Sequence, residues 1–502
     1  GSHLNHPPRA DSIRIAMQHP QPSPSPAAAP PLSLSSKARR TREQPISFLI
    51  NAAMANPNLI NFAAGLVDPQ TLPVEKSLEI TRTILSDTSR GRAALQYDTT
   101  LGLAELRKTA LKHLEALEGK PASAMGVTAQ DIVVTTGSQQ ALYLVGETLV
   151  DPGDIVIAAN PSYFVYTGTL WSFGAKVMTV PMDENGMDVD AVERLLNHLE
   201  AEGKLPRVRV IYCTSYYQNP TGLTLSLERR PRLLELARRF SHGHRILILE
   251  DAAYRELSYE GPALPSIKSF DPDNRYTVLA STFSKPFAPG IKTGYTAMPS
   301  DLLHEVLQQK GNHDFGSAAL SQHIALEAMR SGAYAKQVEH LKNGYRSKRD
   351  TLLSALAKYM PKSAGISWTH PNGGLYVWLT LPEQVNTSRG AMFDKAVEHG
   401  VLYVPGDYCF QPDESGFIPK NHIRLSFGQV AGDQIERGIE RLASVVSGQL
   451  SAAKSAHSPS PRTRGEGRGE GAEQTRASNP KVASLRGQAP LPHPLPGYGE
   501  RE

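Results

Sequence analysis

Cysteine is nearly absent: Cys213 and Cys409 are the only two in 502 residues, and they stand in no metal-ligand or redox spacing. A disulfide framework is thereby excluded, and a reducing compartment, the cytoplasm, is expected. Long apolar runs are also missing. Strand-like stretches such as ILILE at 246–250 fall far short of the ~18 residues a membrane span needs. No basic start followed by an apolar core marks a signal peptide. The opening Gly-Ser-His reads as a cloning scar, and Met17 as either a native start or an internal methionine. A strong charge of one sign is missing too, because the net charge of +4 belongs to the ends. Residues 1–43 carry six Lys/Arg against Asp11 and Glu43, residues 448–502 carry eight against five, and 44–447 is left net negative by three. A mildly acidic body with basic tails is not a nucleic-acid footprint.

The ends also lack the means to fold. Residues 18–36 are mostly Pro, Ala and Ser, and residues 452–502 mostly Gly, Pro, Ser, Arg and Glu. Neither buries enough apolar surface to offset the entropy of ordering, so disorder is expected over 1–43 and 448–502. Between them, DIVVTTG, DIVIAAN, AKVMTVPM, RVRVIYCTS, RILILED and YTVLAST read as strands, with helical patterns such as LERRPRLLELARRF between several of them. Near-continuous apolar strands alternating with helices predict an α/β fold with a mainly parallel sheet covered on both faces. Function in such sheets gathers at the carboxyl ends of the strands. The last third changes character, with a long helix beginning near Ala333 and strands in GGLYVWLTLP, GVLYVPG and HIRLSFG, a smaller α+β unit. No internal repeat is present.

Four segments just beyond strand-like runs carry chemistry. In TTGSQQAL at 135–142, Ser138 and the free N–H groups of a helix start can hold a phosphate, although Gly-Ser is also an ordinary cap. In YYQNPTG at 216–222, Asn219 can bond a phenolate oxygen or simply reverse the chain. ILILEDAAY puts Asp251 at a strand end and Tyr254 three residues on; the carboxylate can pair with a protonated ring nitrogen or cap a helix. STFSKPFAPGIKTGY holds Lys285 among Thr282 and Ser284, with Gly290 and Gly294 allowing close backbone approach. Such a lysine can form a Schiff base, or stand as an ordinary surface lysine in a loop.

Taken in order, with 32 residues from Asn219 to Asp251 and 34 from Asp251 to Lys285, these segments resemble the fold-type I pyridoxal-phosphate enzymes. The nearest likeness is to class I/II aminotransferases of the 2-aminoadipate, kynurenine and aromatic branch, over about residues 45–445. The resemblance implies a large domain with a seven-stranded-type sheet over 96–325. It also implies a small domain built from both ends of the body, from 44–95 with its substrate loop and from 326–447. It implies pyridoxal 5′-phosphate as cofactor, no metal, and a homodimer with shared active sites. Lys285 would form the Schiff base and carry the proton between the substrate Cα and the cofactor. Asp251 would keep the ring nitrogen protonated, and Asn219 and Tyr254 would bind the ring oxygen. Ser138, Gln139, Thr282 and Ser284 match phosphate-binding positions, and Tyr163 in NPSYFVY matches the aromatic stacked on the ring. Tyr97 in LQYDTTLGLAELR matches a tyrosine that reaches the phosphate of the partner subunit. Arg424 in NHIRLSFG matches the substrate-carboxylate clamp. FAAGLVDPQTLP around Gly65 resembles the substrate-covering loop. One position departs: seven residues after the lysine the family usually has arginine, and here it is Lys292, which keeps the charge and loses the two-pronged geometry.

The activity implied is ping-pong transfer of an amino group between an L-amino acid and a 2-oxo acid. Elimination, decarboxylation or oxidation with the same cofactor is the alternative, because fold does not fix reaction type. A ligand-sensing regulator built on this body would carry a winged-helix domain ahead of it, for which the N-terminal segment leaves no room. No second arginine is clearly placed for a side-chain carboxylate; Asn312, His313 and Asp314 occupy the region where some relatives position partner-subunit groups. Tyr163, Tyr216, Tyr217 and Tyr376 can line a pocket for an aromatic or large apolar side chain, or can be core.

Overall fold

The computed structural model describes residues 32–363 and 365–456. Its centre is an eight-stranded sheet. In spatial order the strands are Ile132–Thr135, Gly294–Ala297, Thr277–Thr282, Leu247–Asp251, Val208–Thr214, Ile155–Asn160, Lys176–Asp183 and the two-residue Gly186–Met187. The pairs among Thr277–Thr282, Leu247–Asp251, Val208–Thr214, Ile155–Asn160 and Lys176–Asp183 are parallel. Gly294–Ala297 runs antiparallel to both its neighbours. The sheet is therefore mixed, mainly parallel, as its apolar strands foretold.

Both faces of the inner strands Ile155–Asn160, Val208–Thr214 and Leu247–Asp251 are buried, and alternate residues serve different cores. Ile155, Ile157, Ile211 and Ile248 join one apolar cluster, and Val156, Ala158, Val210 and Leu249 join another. This explains why the strands read as near-continuous apolar runs: a strand covered on both sides has little room for a polar residue without a partner. Each fully buried Ile or Val contributes roughly 1.5–3 kcal/mol.

A second, antiparallel sheet orders Ser367–Trp368, Tyr376–Thr380, His422–Ser426 and Val404–Pro405. The helices Ala333–Tyr359 and Gly432–Ala456 belong to this part and pack on each other. Ile60–Asn61 pairs with Val401–Leu402, and the Ser426 amide donates to the Phe62 carbonyl at 2.8 Å, so the N-terminal segment is built into the C-terminal unit.

Ordered structure reaches past both boundaries read for the tails. Ser36–Arg40 is a short helix packed on the helix Phe164–Phe173, and Gly432–Ala456 continues beyond residue 447. Charge rather than apolar area anchors the first of these. Lys37 Nζ lies 3.3 Å from Glu147 and over the rings of Tyr143 and Phe173, and Arg40 Nε donates to the Ser172 carbonyl. The remaining tail expectations, with the Gly-Ser-His opening and Met17, lie outside the described residues. Among the described residues no helix is long and apolar enough to cross a membrane.

Candidate active site

The carboxyl ends of the parallel strands open into a cavity of about 320 Å³. Each strand delivers its side chains through the turn that follows it. Ile132–Thr135 leads into Ser138 and Gln139 at the head of the helix Gly137–Leu149, and Ile155–Asn160 leads into Tyr163. Val208–Thr214 leads to Asn219, Leu247–Asp251 ends on Asp251 with Tyr254 in the next turn, and Thr277–Thr282 ends on Thr282 before Ser284 and Lys285. Lys292 enters from the segment after the short turn Pro289–Ile291. Two further contributions cross from elsewhere: Arg424 and Tyr376 from the second sheet, and Ile46, Gly65 and Leu66 from the N-terminal segment.

All but one of the sequence-derived site residues line this cavity. The exception is Tyr97, which is 82% exposed and packs edge-on against Phe315 at 5.6 Å between ring centroids. Of the four tyrosines considered for the pocket, Tyr163 and Tyr376 line it and Tyr216 and Tyr217 do not. The Tyr216 hydroxyl donates to the Leu264 carbonyl with Arg230 over its ring, and Tyr217 packs against Gly373 and Gly374. Both serve the core. Within the chain, Asp314 accepts from Lys310 Nζ and from Gln140 Nε2, and His313 stacks on Tyr143.

The polar groups of the cavity are tied down from behind. Asp251 Oδ2 accepts from the Tyr212 hydroxyl at 3.0 Å, and Asp251 Oδ1 accepts from the Ala253 amide at 3.2 Å. Asp251 begins no helix, which removes the capping alternative. Burial raises its carboxyl to about 6, against the opposing pull of those two bonds and of Lys285. Lys285 Nζ donates to the Gly65 carbonyl at 2.8 Å. Burial, then the charges of Arg424 and Lys292, bring its amine down to about 8, so a useful fraction is uncharged near neutrality. Thr282 Oγ1 donates to Ser284 Oγ at 3.0 Å, and no side chain caps the helix that Gly137 opens.

Arg424 is buried, donating through Nη1 to Asn219 Oδ1 at 2.9 Å and through Nη2 to the Ala63 carbonyl at 2.6 Å. Its Nε has no partner among the described residues. A buried guanidinium with a donor unused invites an anion. Chemically, one cavity gathers a nucleophilic amine, a carboxylate, a hydroxyl pair at a helix start and a guanidinium.

Sequence reasoning missed the apolar wall of Ile46, Leu66, Phe164 and Val165, and the support given by Tyr212. Tyr212 was within reach of strand periodicity, because it stands two residues before Thr214 on the same face of its strand. Leu66 lay beside Gly65 in the segment read as a substrate-covering loop, whereas Ile46 carried no local signal.

The family model for "Aminotransferase class I and II" matches residues 57–442 of this chain. The chain is 36% identical over 393 residues to the aromatic-amino-acid aminotransferase 1 of Thermococcus litoralis, covering 78% of this chain and 89% of that protein. It is 32% identical over 399 residues to the 2-aminoadipate transaminase of Thermus thermophilus, covering 78% and 91%. In structure it is similar to the kynurenine aminotransferase of Pyrococcus horikoshii, solved in complex with PMP, with a TM-score of 0.75 at 32% identity, covering 83% and 97%.

Proposed function

This chain belongs to the class I and II aminotransferases, and on that premise we propose that it takes up pyridoxal 5′-phosphate around Lys285 and prefers amino donors with aromatic or large apolar side chains. As a family member it is a transaminase, moving an amino group between an L-amino acid and a 2-oxo acid by a ping-pong route. Elimination, decarboxylation and oxidation are not favoured by these relatives. The observation that carries the reading is the single cavity lined by the Lys285 amine, the Asp251 carboxylate and the Arg424 guanidinium.

The residues fit the cofactor. Gly137 has φ of +73°, and a Cβ there would point at Thr282 Oγ1 and Ser284 Oγ, 3.6 and 3.9 Å away. Absence of that carbon leaves an open cradle beside an uncapped helix start. Ser138, Gln139, Thr282, Ser284 and Lys292 would hold the phosphate there. Asp251 would meet the ring nitrogen, Asn219 and Tyr254 the ring oxygen, and Tyr163 the ring face. A Tyr97 from a second copy would complete the phosphate site in a homodimer. When bound, the cofactor supplies a ring that withdraws electrons from the substrate's Cα–H bond.

The chain's own groups do the rest. Arg424 binds the substrate α-carboxylate through donors that include the unpartnered Nε. Lys285 Nζ, uncharged in part near neutrality, takes the Cα proton and returns it on the other side of the transfer. Ile46, Leu66, Phe164 and Tyr376 exclude water and offer apolar area to the side chain. Arg424 is the only arginine lining the cavity among the described residues, which disfavours donors with a second carboxylate. Both cysteines are free and buried, which suits a reducing cytoplasm.

The test is a screen of L-phenylalanine, L-tyrosine, L-leucine, L-aspartate and L-glutamate against 2-oxo acid acceptors, following the cofactor's absorbance in each half-reaction. Aromatic and apolar donors should lead, and Lys285→Ala should abolish turnover. Full half-reaction activity in that variant would sink the assignment, and ammonia release without an acceptor would point to elimination or oxidation.

A further inference from the structure

Tyr376 opens the strand Tyr376–Thr380 and is 1% exposed, yet its ring and hydroxyl meet three parts of the site at once. Its hydroxyl lies 2.8 Å from that of Tyr254, and the two rings meet edge to face at 5.5 Å and 81°. The guanidinium of Arg424 stands over its ring at 4.7 Å. The third contact is with Gly65, whose carbonyl holds the Lys285 amine. A Cβ built on Gly65 would fall 2.5 Å from the Tyr376 hydroxyl oxygen and no closer than 3.5 Å to any other atom of that ring. Gly65 has no positive φ, so its backbone conformation would accept alanine. The hydroxyl alone excludes a side chain at 65.

We propose that Tyr376 is a positioning residue: its hydroxyl fixes the Tyr254 phenol and reserves position 65 for glycine, while its ring backs the Arg424 guanidinium. One side chain thus sets the spacing between the carboxylate clamp, the group that Tyr254 binds and the resting place of the Lys285 amine. The hydroxyl cannot swing away to admit a methyl group at 65, because it is pinned by Tyr254 at one end and its ring by Arg424 along its face. When Tyr254 donates to a bound oxygen anion, Tyr376 becomes the donor to Tyr254 and reinforces that bond. This assignment rests on the transaminase reading for its kinetic consequences, but the steric relation between positions 65 and 376 does not.

The experiment uses the full-length holoenzyme and the variants Gly65→Ala, Tyr376→Phe, Gly65→Ala/Tyr376→Phe and Tyr376→Leu, with L-phenylalanine as donor and 2-oxoglutarate as acceptor. Gly65→Ala should lower the thermal midpoint and cut kcat/KM by on the order of tenfold to a hundredfold, the usual effect of a misplacement near 1 Å. Adding Tyr376→Phe should restore the thermal midpoint and most of the loss in kcat/KM. Tyr376→Phe alone should lower kcat while KM for the donor stays within about twofold, because the ring behind Arg424 remains. Tyr376→Leu should raise KM as well. A harmless Gly65→Ala, a double variant no better than Gly65→Ala, or a Tyr376→Phe enzyme with unchanged kcat would each overturn the proposal. The thermal comparison stands even if L-phenylalanine is not turned over, so failure of the transaminase reading is told apart from failure of this one.

Discussion

Lys285 and Lys292 stand seven residues apart and line the same cavity. Lys292 is exposed and has a φ of +47°, a left-handed conformation that costs a residue with a Cβ about 1–2 kcal/mol. Strain of this kind persists where the surroundings hold it, often at functional positions. Its charge is felt at Lys285, where burial first, then Arg424 and Lys292, depress the amine to about 8. The sign follows directly. An amine attacks only when uncharged, its uncharged share grows as pH rises through about 8, and removing a neighbouring cation raises that midpoint. Lys292→Ala should therefore move the pH midpoint of cofactor capture upward by less than about one unit. It should also weaken cofactor binding on the order of tenfold, the worth of one charged hydrogen bond. Mixing apo-protein with pyridoxal phosphate across a pH series, and following absorbance, measures both. An unmoved midpoint with unaltered affinity would remove Lys292 from the phosphate site.

At the scale of elements, the turn from the strand Ile132–Thr135 into the helix Gly137–Leu149 bears most of the anion-binding argument. The first N–H groups of a helix have no partner within it, and this helix has no side-chain cap to satisfy them. Gly137 makes the turn possible, because its φ of +73° suits glycine and no other common residue without strain. Gly137→Ala should cost about 1–2 kcal/mol in urea unfolding. Its new Cβ would also occupy the cradle, in van der Waals contact with Thr282 Oγ1 and Ser284 Oγ at 3.6 and 3.9 Å, so the cofactor dissociation constant should rise by more than stability alone explains. Unchanged cofactor affinity would show that phosphate lies elsewhere. The strand Gly294–Ala297 is one element that sequence patterning did not yield. It is four residues long and follows a Pro- and Gly-rich stretch that reads as loop, and its strand character comes from the two neighbours that pair with it.

For the whole molecule, the exposed pair Tyr97 and Phe315, 82% and 60% accessible, lies apart from the cavity of its own chain. If Tyr97 serves a second copy, inactive variants should complement each other. A Lys285→Ala chain supplies Tyr97 to a site that keeps Lys285 in a Tyr97→Ala chain, so refolding the two together should regain activity above the sum of the parents. Only the sum, with a monomer in light scattering, would refute shared sites. The N-terminal segment is also a whole-molecule matter. Lys37 and Arg40 dock residues 36–40 on the body, and six residues beyond Arg40 the chain places Ile46 on the cavity wall.

By itself the sequence determined what is local. Each motif around Ser138, Asn219, Asp251 and Lys285 is a strand end followed by a turn, and the periodicity of doubly buried strands told where those ends are. A parallel sheet then had to bring them to one edge. Arg424 was legible only through the resemblance, since nothing near it in sequence reveals the cavity 205 residues away, at Asn219. Tertiary structure alone decided that Tyr376 meets Tyr254, that the Lys285 amine rests on the Gly65 carbonyl 220 residues distant, and that Tyr216 and Tyr217 turn into the core. It decided too that part of the basic N-terminal segment is docked. For Tyr376, Gly65 and the docked N-terminal segment the reason is the same: these contacts arise from the packing of the second sheet and the N-terminal segment against the first. Local propensity and spacing specify elements, whereas the face one element presents to another is settled by close packing across the whole chain.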